Sequence, residues 1–158
     1  YAPRLSLGKL LAKDLAAGPV ADVLVSGAIN MGNDFRAYLY GAAVDLKLPG
    51  FAYFQFNAYV RDDKALAGQT WQLTPVWLYP FQVGSLRFSF QGFIDYAGAE
   101  GDAKAFLVAA PRLWLDVGAL FGTPQRIEAG VEYMYWRNKY GIDGVTERVL
   151  QPSVKWTF

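Results

Sequence analysis

From Phe51 to Arg61 the chain alternates without a break. Phe51, Tyr53, Gln55, Asn57, Tyr59 and Arg61 fall on one parity, and Ala52, Phe54, Phe56, Ala58 and Val60 on the other. Successive side chains of a strand point to opposite faces, so the run makes a ribbon with one largely polar and one greasy side, a pattern no helical period accommodates. The run before it does the same, with Tyr38, Tyr40, Ala42, Val44, Leu46 and Leu48 opposed to Ala37, Leu39, Gly41, Ala43, Asp45 and Lys47. Only Leu48-Pro49-Gly50 separates the two, a connector of turn size and turn composition. The spacing predicts a long antiparallel hairpin with about ten residues per strand, more than a soluble sheet usually uses and close to what a tilted strand needs to cross a bilayer.

The same period recurs along the chain. It predicts strands at 4–11, 21–31, 70–81, 85–96, 105–121, 126–138 and 148–158 in addition to the hairpin, about nine in all. Polar or glycine-rich stretches at 12–20, 31–34, 62–68, 97–104 and 139–147 read as connectors, with tighter turns at 48–50, 82–84 and 122–125. Pro75 and Pro80 each lack a donor, which predicts a bulge or bend in that strand.

Composition removes several function classes. At 158 residues the chain is one domain, 1–158, and a formal net charge of +1 gives nucleic-acid binding nothing to rest on. No window approaches 18 consecutive apolar residues, which excludes a transmembrane helix. The absence of cysteine and histidine disfavours thiolate, imidazole and metal-assisted chemistry together, so no catalytic or metal residue and no cofactor is expected. Tyr1-Ala2-Pro3 begins without a basic and apolar leader, as expected where an export signal has been removed or left out.

Strict alternation fits a water-soluble barrel with its apolar face inward, or a membrane barrel with that face outward. The polar parity carries charges in mid-strand together with amides, serines and aromatics, as a wet lumen would. The apolar parity carries Tyr38, Tyr40, Trp71, Tyr79, Tyr96, Tyr133, Tyr135 and Trp156, mostly near strand ends, like the aromatic girdle of a bilayer interface. Core aromatics of a lipocalin-like fold are the alternative. The fold class expected is all-β, an antiparallel up-and-down transmembrane β-barrel. Phe158, preceded at alternating positions by Trp156, Val154 and Leu150, is similar to the closing strand of outer-membrane barrels. Placing that end in the periplasm sends most short turns to one side and most long connectors to the other. An odd strand count then requires either that the first run is not a barrel strand, leaving eight, or that an odd number of strands precedes Tyr1.

Several segments, taken in order, carry a resemblance. Pro3-Arg4-Leu5-Ser6-Leu7-Gly8-Lys9, Met31-Gly32-Asn33, Tyr38-Leu39-Tyr40-Gly41, Leu48-Pro49-Gly50-Phe51, Thr70-Trp71-Gln72 and Pro75-Val76-Trp77 are among them. So are Gly92-Phe93-Ile94-Asp95-Tyr96-Ala97-Gly98, Glu132-Tyr133-Met134-Tyr135-Trp136, Lys139-Tyr140-Gly141-Ile142-Asp143-Gly144-Val145 and Val154-Lys155-Trp156-Thr157-Phe158. As a set they resemble the nucleoside-specific channel-forming outer-membrane (Tsx-like) proteins. The resemblance implies part of a twelve-stranded monomeric barrel whose first three strands are missing here, a bacterial outer-membrane location, a lipid bilayer as surroundings and a nucleoside as solute. It carries over no individual nucleoside-contacting residue.

The residues themselves nominate a pore lining: Tyr53, Gln55, Asn57, Tyr59, Arg61, Arg87, Gln91, Phe93, Asp95, Arg112, Trp114, Asp116, Glu128, Glu132, Trp136 and Lys155. Charges of both signs on one face would favour neutral polar solutes over a single kind of ion. The aromatics among them could stack on a base. The expectation is facilitated diffusion of nucleosides or similar small solutes. Its alternative is a non-conducting eight-stranded structural or adhesive barrel whose charges only fill the interior. A barrel enzyme using Glu128 and Glu132, and a soluble ligand carrier, are further alternatives.

Overall fold

In the computed structural model, which describes residues 3–32 and 36–157, the alternating runs become ten strands in one antiparallel sheet. These are β1 (Arg4–Ser6), β2 (Val20–Met31), β3 (Arg36–Leu46), β4 (Tyr53–Asp63), β5 (Thr70–Val83), β6 (Leu86–Ala97), β7 (Phe106–Ala109), β8 (Arg112–Asp116), β9 (Ile127–Arg137) and β10 (Thr146–Trp156). Each strand pairs with its sequence neighbour, except that β7 and β8 lie end to end between β6 and β9.

Turn chemistry sets this meander. Pro49 fixes its own φ, and Gly50 at φ 81 supplies the left-handed residue of a type II turn closed by the Phe51 amide donating to the Leu48 carbonyl at 3.2 Å. Gly84, at φ 60, opens a two-residue hairpin between paired Val83 and Leu86, so this turn sits two residues later than the sequence suggests. Asp116 organises the turn after β8, where its carboxylate accepts from the Ala119 and Gln125 amides at 3.0 Å each.

Three expectations need correction. The first strand stops at Ser6, whose hydroxyl caps the helix α1 (Leu7–Leu11) by accepting from the Lys9 amide at 3.2 Å; the lost alternation at Lys9, Leu10 and Leu11 marks that helix. The run 105–121 is two strands, Phe106–Ala109 and Arg112–Asp116, because Pro111 has no N–H to give the ladder, and beyond Asp116 the chain leaves the sheet in a 3-10 turn over Gly118–Phe121. Register is nonetheless unchanged across the break, from Ile94 opposite Ala109 to Gln91 opposite Arg112. Pro75 and Pro80 produce no bulge, with Leu73 facing Tyr96 and Pro80 facing Ser89 on one continuous count, but the ladder to β6 is interrupted at Thr74 and Pro75, which are unpaired in it; the register shift falls between Val20 and Asp22. The all-β antiparallel meander is as expected; among the described residues β1 pairs only with β2 and β10 only with β9, so closure into a barrel is not seen in this sheet. The end of the 31–34 turn and the terminal Phe158 lie outside the described residues.

Burial is the reverse of a water-soluble protein. On the polar parity Ser26, Asn57, Arg61, Asp63, Gln72 and Asp116 are all buried, while on the other parity Val25, Val60, Trp71 and Leu113 are 39–49% exposed. That rules out the soluble-barrel orientation for this sheet, in which Phe54, Phe56 and Phe88 would fill the centre. The exposed face is greasy across several strands, and its rings pack along it. Trp71 meets Tyr96 edge-on at 5.1 Å between centroids, and Phe81 stacks on Phe88 at 5.3 Å.

Candidate functional site: the polar concave face

Adjacent strands sit about 4.8 Å apart, so side chains two or three strands away meet only where the sheet curls toward them. On the polar face they do. Arg4 of β1 reaches Asp45 of β3 at 2.7 Å, and the Tyr59 hydroxyl of β4 shares a hydrogen bond with Ser26 of β2 at 2.9 Å. Lys155 of β10 lies over the Trp114 ring of β8, and Arg61 of β4 over the Phe106 ring of β7. The polar side is therefore the inside of the curve.

Glycines on intervening strands make this convergence possible. Gly41 stands in register between Ser26 and Tyr59, and a side chain there would collide with the Ala58 carbonyl and the Tyr59 backbone. Gly130 lies opposite Trp114, whose ring carbon would sit 2.6 Å from an added Cβ. Gly41 thus lets two backbones approach closely beneath Tyr59, and Gly130 leaves room for the Trp114 ring to lie across β9.

At the end carrying the long connectors, Arg61 is held from two sides. Its guanidinium donates to Glu100 at 2.7 Å and to Asp63 at 2.9 Å, and the second Glu100 oxygen accepts from the Asp63 amide at 2.7 Å. Glu100 is only 3% exposed, although it belongs to a connector, so the connector folds back into the mouth of the curve. A buried ion pair is sustained only when hydrogen bonds satisfy its remaining groups, and here both carboxylate oxygens and both guanidinium ends are used. Beside this knot, Gln72 donates to the Thr74 hydroxyl at 3.0 Å, which in turn donates to Asp95 at 2.6 Å.

Farther along, Arg112 pairs with Glu132 on the neighbouring strand, and Lys155 with Glu128. At the opposite end the face opens into a cavity of about 520 Å³ lined by Arg87, Ser89, Gln91, Asp116, Glu128 and Lys155 among others. Among the described residues Arg87 has no ion-pair partner there.

Of the residues nominated from sequence, Arg87, Gln91, Asp116, Glu128 and Lys155 thus come together in one cavity. Arg112 and Glu132 form one pair, Trp114 joins Lys155, and Asn57 and Asp95 both bond Thr74. Gln55 and Phe93 share the concave parity, each in register with Val76. Tyr53 lies at the strand end and is 40% exposed. Trp136 joins Tyr140 and Lys139 at the long-connector end, apart from the cavity. Asp116 spends its carboxylate on the turn amides. The sequence reading missed Glu100, Asp63 and Tyr140. Glu100 and Tyr140 lie in connectors, where parity has no meaning; Asp63 continues the parity of Arg61, but 62–68 reads as a connector whereas β4 runs on to Asp63.

Asn57 Oδ1, Trp114 Nε1 and Trp136 Nε1 are buried on this face without a hydrogen-bond partner among the described residues. They leave one acceptor and two donors for water or a solute. At the mouth, hydrogen bonding to Glu147 raises the Lys139 ammonium above its ordinary range and keeps it charged.

No family model matches the chain. Among curated proteins it is similar to the outer membrane protein OmpK of Vibrio parahaemolyticus, with 26% identity over 151 residues. That alignment takes in 92% of this chain and 56% of the relative, so the chain spans about half the length of the curated protein it matches.

Proposed function

We propose that this sheet belongs to a closed β-barrel of the bacterial outer membrane that lets small polar solutes, nucleosides above all, diffuse through its interior. The inverted burial carries the proposal: a continuous greasy face is presented outward and a mixed-charge, aromatic-studded face is folded inward. Hydrocarbon explains the first half, and a water-bearing lumen the second. In lipid an open edge of backbone donors and acceptors has no partner, so a sheet whose edge strands each pair on one side only among the described residues supports closure as well. The similarity to an outer membrane protein over nearly the whole chain supports the location.

Much of the charge on the lining is paired, through Arg61 with Glu100, Arg112 with Glu132 and Lys155 with Glu128, and both signs are present on it. Such a lining holds no ring of one sign to filter ions, and it suits neutral solutes that carry donors and acceptors. Swelling of proteoliposomes tests the reading. Nucleosides should enter faster than sugars of similar size, and equal rates would remove the preference for a base. The same ion pairs favour a second reading, a filled, non-conducting barrel, and planar-bilayer recordings without current at any voltage would establish it.

A further inference from the structure

The greasy parity is free of charge along most of its height, and the exceptions fall at one end. By register Arg36 faces Met31, Asp62 faces Tyr38, Arg137 faces Leu107 and Arg148 faces Tyr135, so each stands on the outward side with the apolar residues beside it. All of them lie at the long-connector end of their strands, level with or beyond the outward rings of Tyr38 and Tyr135. At the short-turn end the same parity carries no charged strand residue among the described ones, and Val83, Ile127 and Trp156 are exposed there instead. A charge on a hydrocarbon-facing side is tolerated where it reaches the headgroups, so this placement marks one leaflet.

Asp62 is neutralised locally by Lys64 at 2.6 Å. Arg137 and Arg148 are not. They sit diagonally on β9 and β10, because Arg137 is in register with Thr146, and both are exposed without a carboxylate partner among the described residues. The acid between them in sequence, Glu147, is in register with Trp136 on the other face and holds Lys139. The Arg148 guanidinium lies 5.7 Å from the centre of the Tyr135 ring, and stacking of that kind leaves its in-plane N–H groups for a second partner. Two adjacent forked cations complement a phosphate, which each can bond through paired N–H groups. Tyr133 and Leu150, paired one step nearer the bilayer and both exposed, continue the same surface into the greasy band. A phosphate held above them therefore belongs to a lipid rather than to a free ion.

We infer that Arg137 and Arg148 seat the phosphate of a lipid headgroup in the leaflet at the long-connector end, with the lipid's chains against Tyr133 and Leu150. The inference rests on the outer-membrane barrel reading but not on the solute. Purified protein in a neutral detergent, titrated with phosphorylated lipid A and followed by native mass spectrometry, should show saturable adducts, and the dephosphorylated lipid should give none. Arg137→Gln combined with Arg148→Gln should weaken apparent affinity about thirtyfold, from two cations at their usual worth beside an anionic surface. Arg137→Lys with Arg148→Lys should recover part of it, since the charge returns without the fork. Lys13→Gln, which removes an exposed cation outside the strands, should leave it unchanged. Adducts that are absent, form equally without phosphate, persist in the glutamine pair or fall as far in Lys13→Gln overturn the seat. So does full displacement by an equal concentration of inorganic phosphate, which marks a free-ion site. Insertion into phosphatidylcholine vesicles reports on the barrel separately. Insertion without lipid A adducts rejects the seat alone, and failure to insert rejects the barrel and the seat with it.

Discussion

Gly41 and Gly130 show how much of the curve depends on single missing methyl groups. Each faces inward opposite an aromatic side chain that crosses it toward a second-neighbour strand. Gly130→Val should therefore lift the Trp114 ring off β9 and weaken its contact with Lys155. We expect a loss on the order of 1–3 kcal/mol, the usual cost of overpacking, read as an earlier midpoint in urea-induced unfolding from lipid vesicles. Gly122→Ala provides the contrast: nothing lies within 4 Å of its Cβ position, so any cost there comes only from its φ of 74. The sequence shows the parity of Gly41 and Gly130 but not their partners, because register across three strands is set by turns and by the irregularity at Val20 and Asp22.

For whole strands, parity was the legible quantity, and it held where the chain alternates over many residues. It failed where alternation is short. Leu7–Leu11 became a helix because Ser6 caps it, and Pro111 divided one ribbon into β7 and β8. Parity also makes a direct prediction on β10, where Leu150 faces outward and Gln151 inward. Leu150→Arg should impair insertion into vesicles by about 2–4 kcal/mol if the residue lies near the bilayer midplane, while Gln151→Arg, one position along, should insert almost as the unaltered protein does. Equal effects at both positions, measured by refolding yield and urea midpoint, would contradict the assignment of faces.

Across the molecule, the lining combines fixed pairs with cations, Arg87 among them, that have no ion-pair partner among the described residues. Arg87 borders the lower cavity, whereas Lys155 is tied to Glu128 and Asp116 to turn amides. Arg87→Glu changes the lining by two charge units and should shift the reversal potential in a salt gradient toward cation preference, and Arg112→Gln, a change of one unit that leaves Glu132 unpaired, should shift it the same way by less. None of this pairing could be read along the chain: partners such as Arg61 and Glu100 are 39 positions apart, and ion pairs leave no periodic trace.

The inward fold of Glu100 also decides where the surface accepts foreign sequence. Its connector is pinned by Arg61 on one side and, through Lys104 and Gly141, to the next connector on the other. A peptide tag spliced after Asp102 must pull that carboxylate out of the mouth, and cells carrying it should display little folded protein. The same tag after Gly68, a position with no neighbour within 4 Å of its Cβ site, should reach antibodies on intact cells without disturbing what lies beneath.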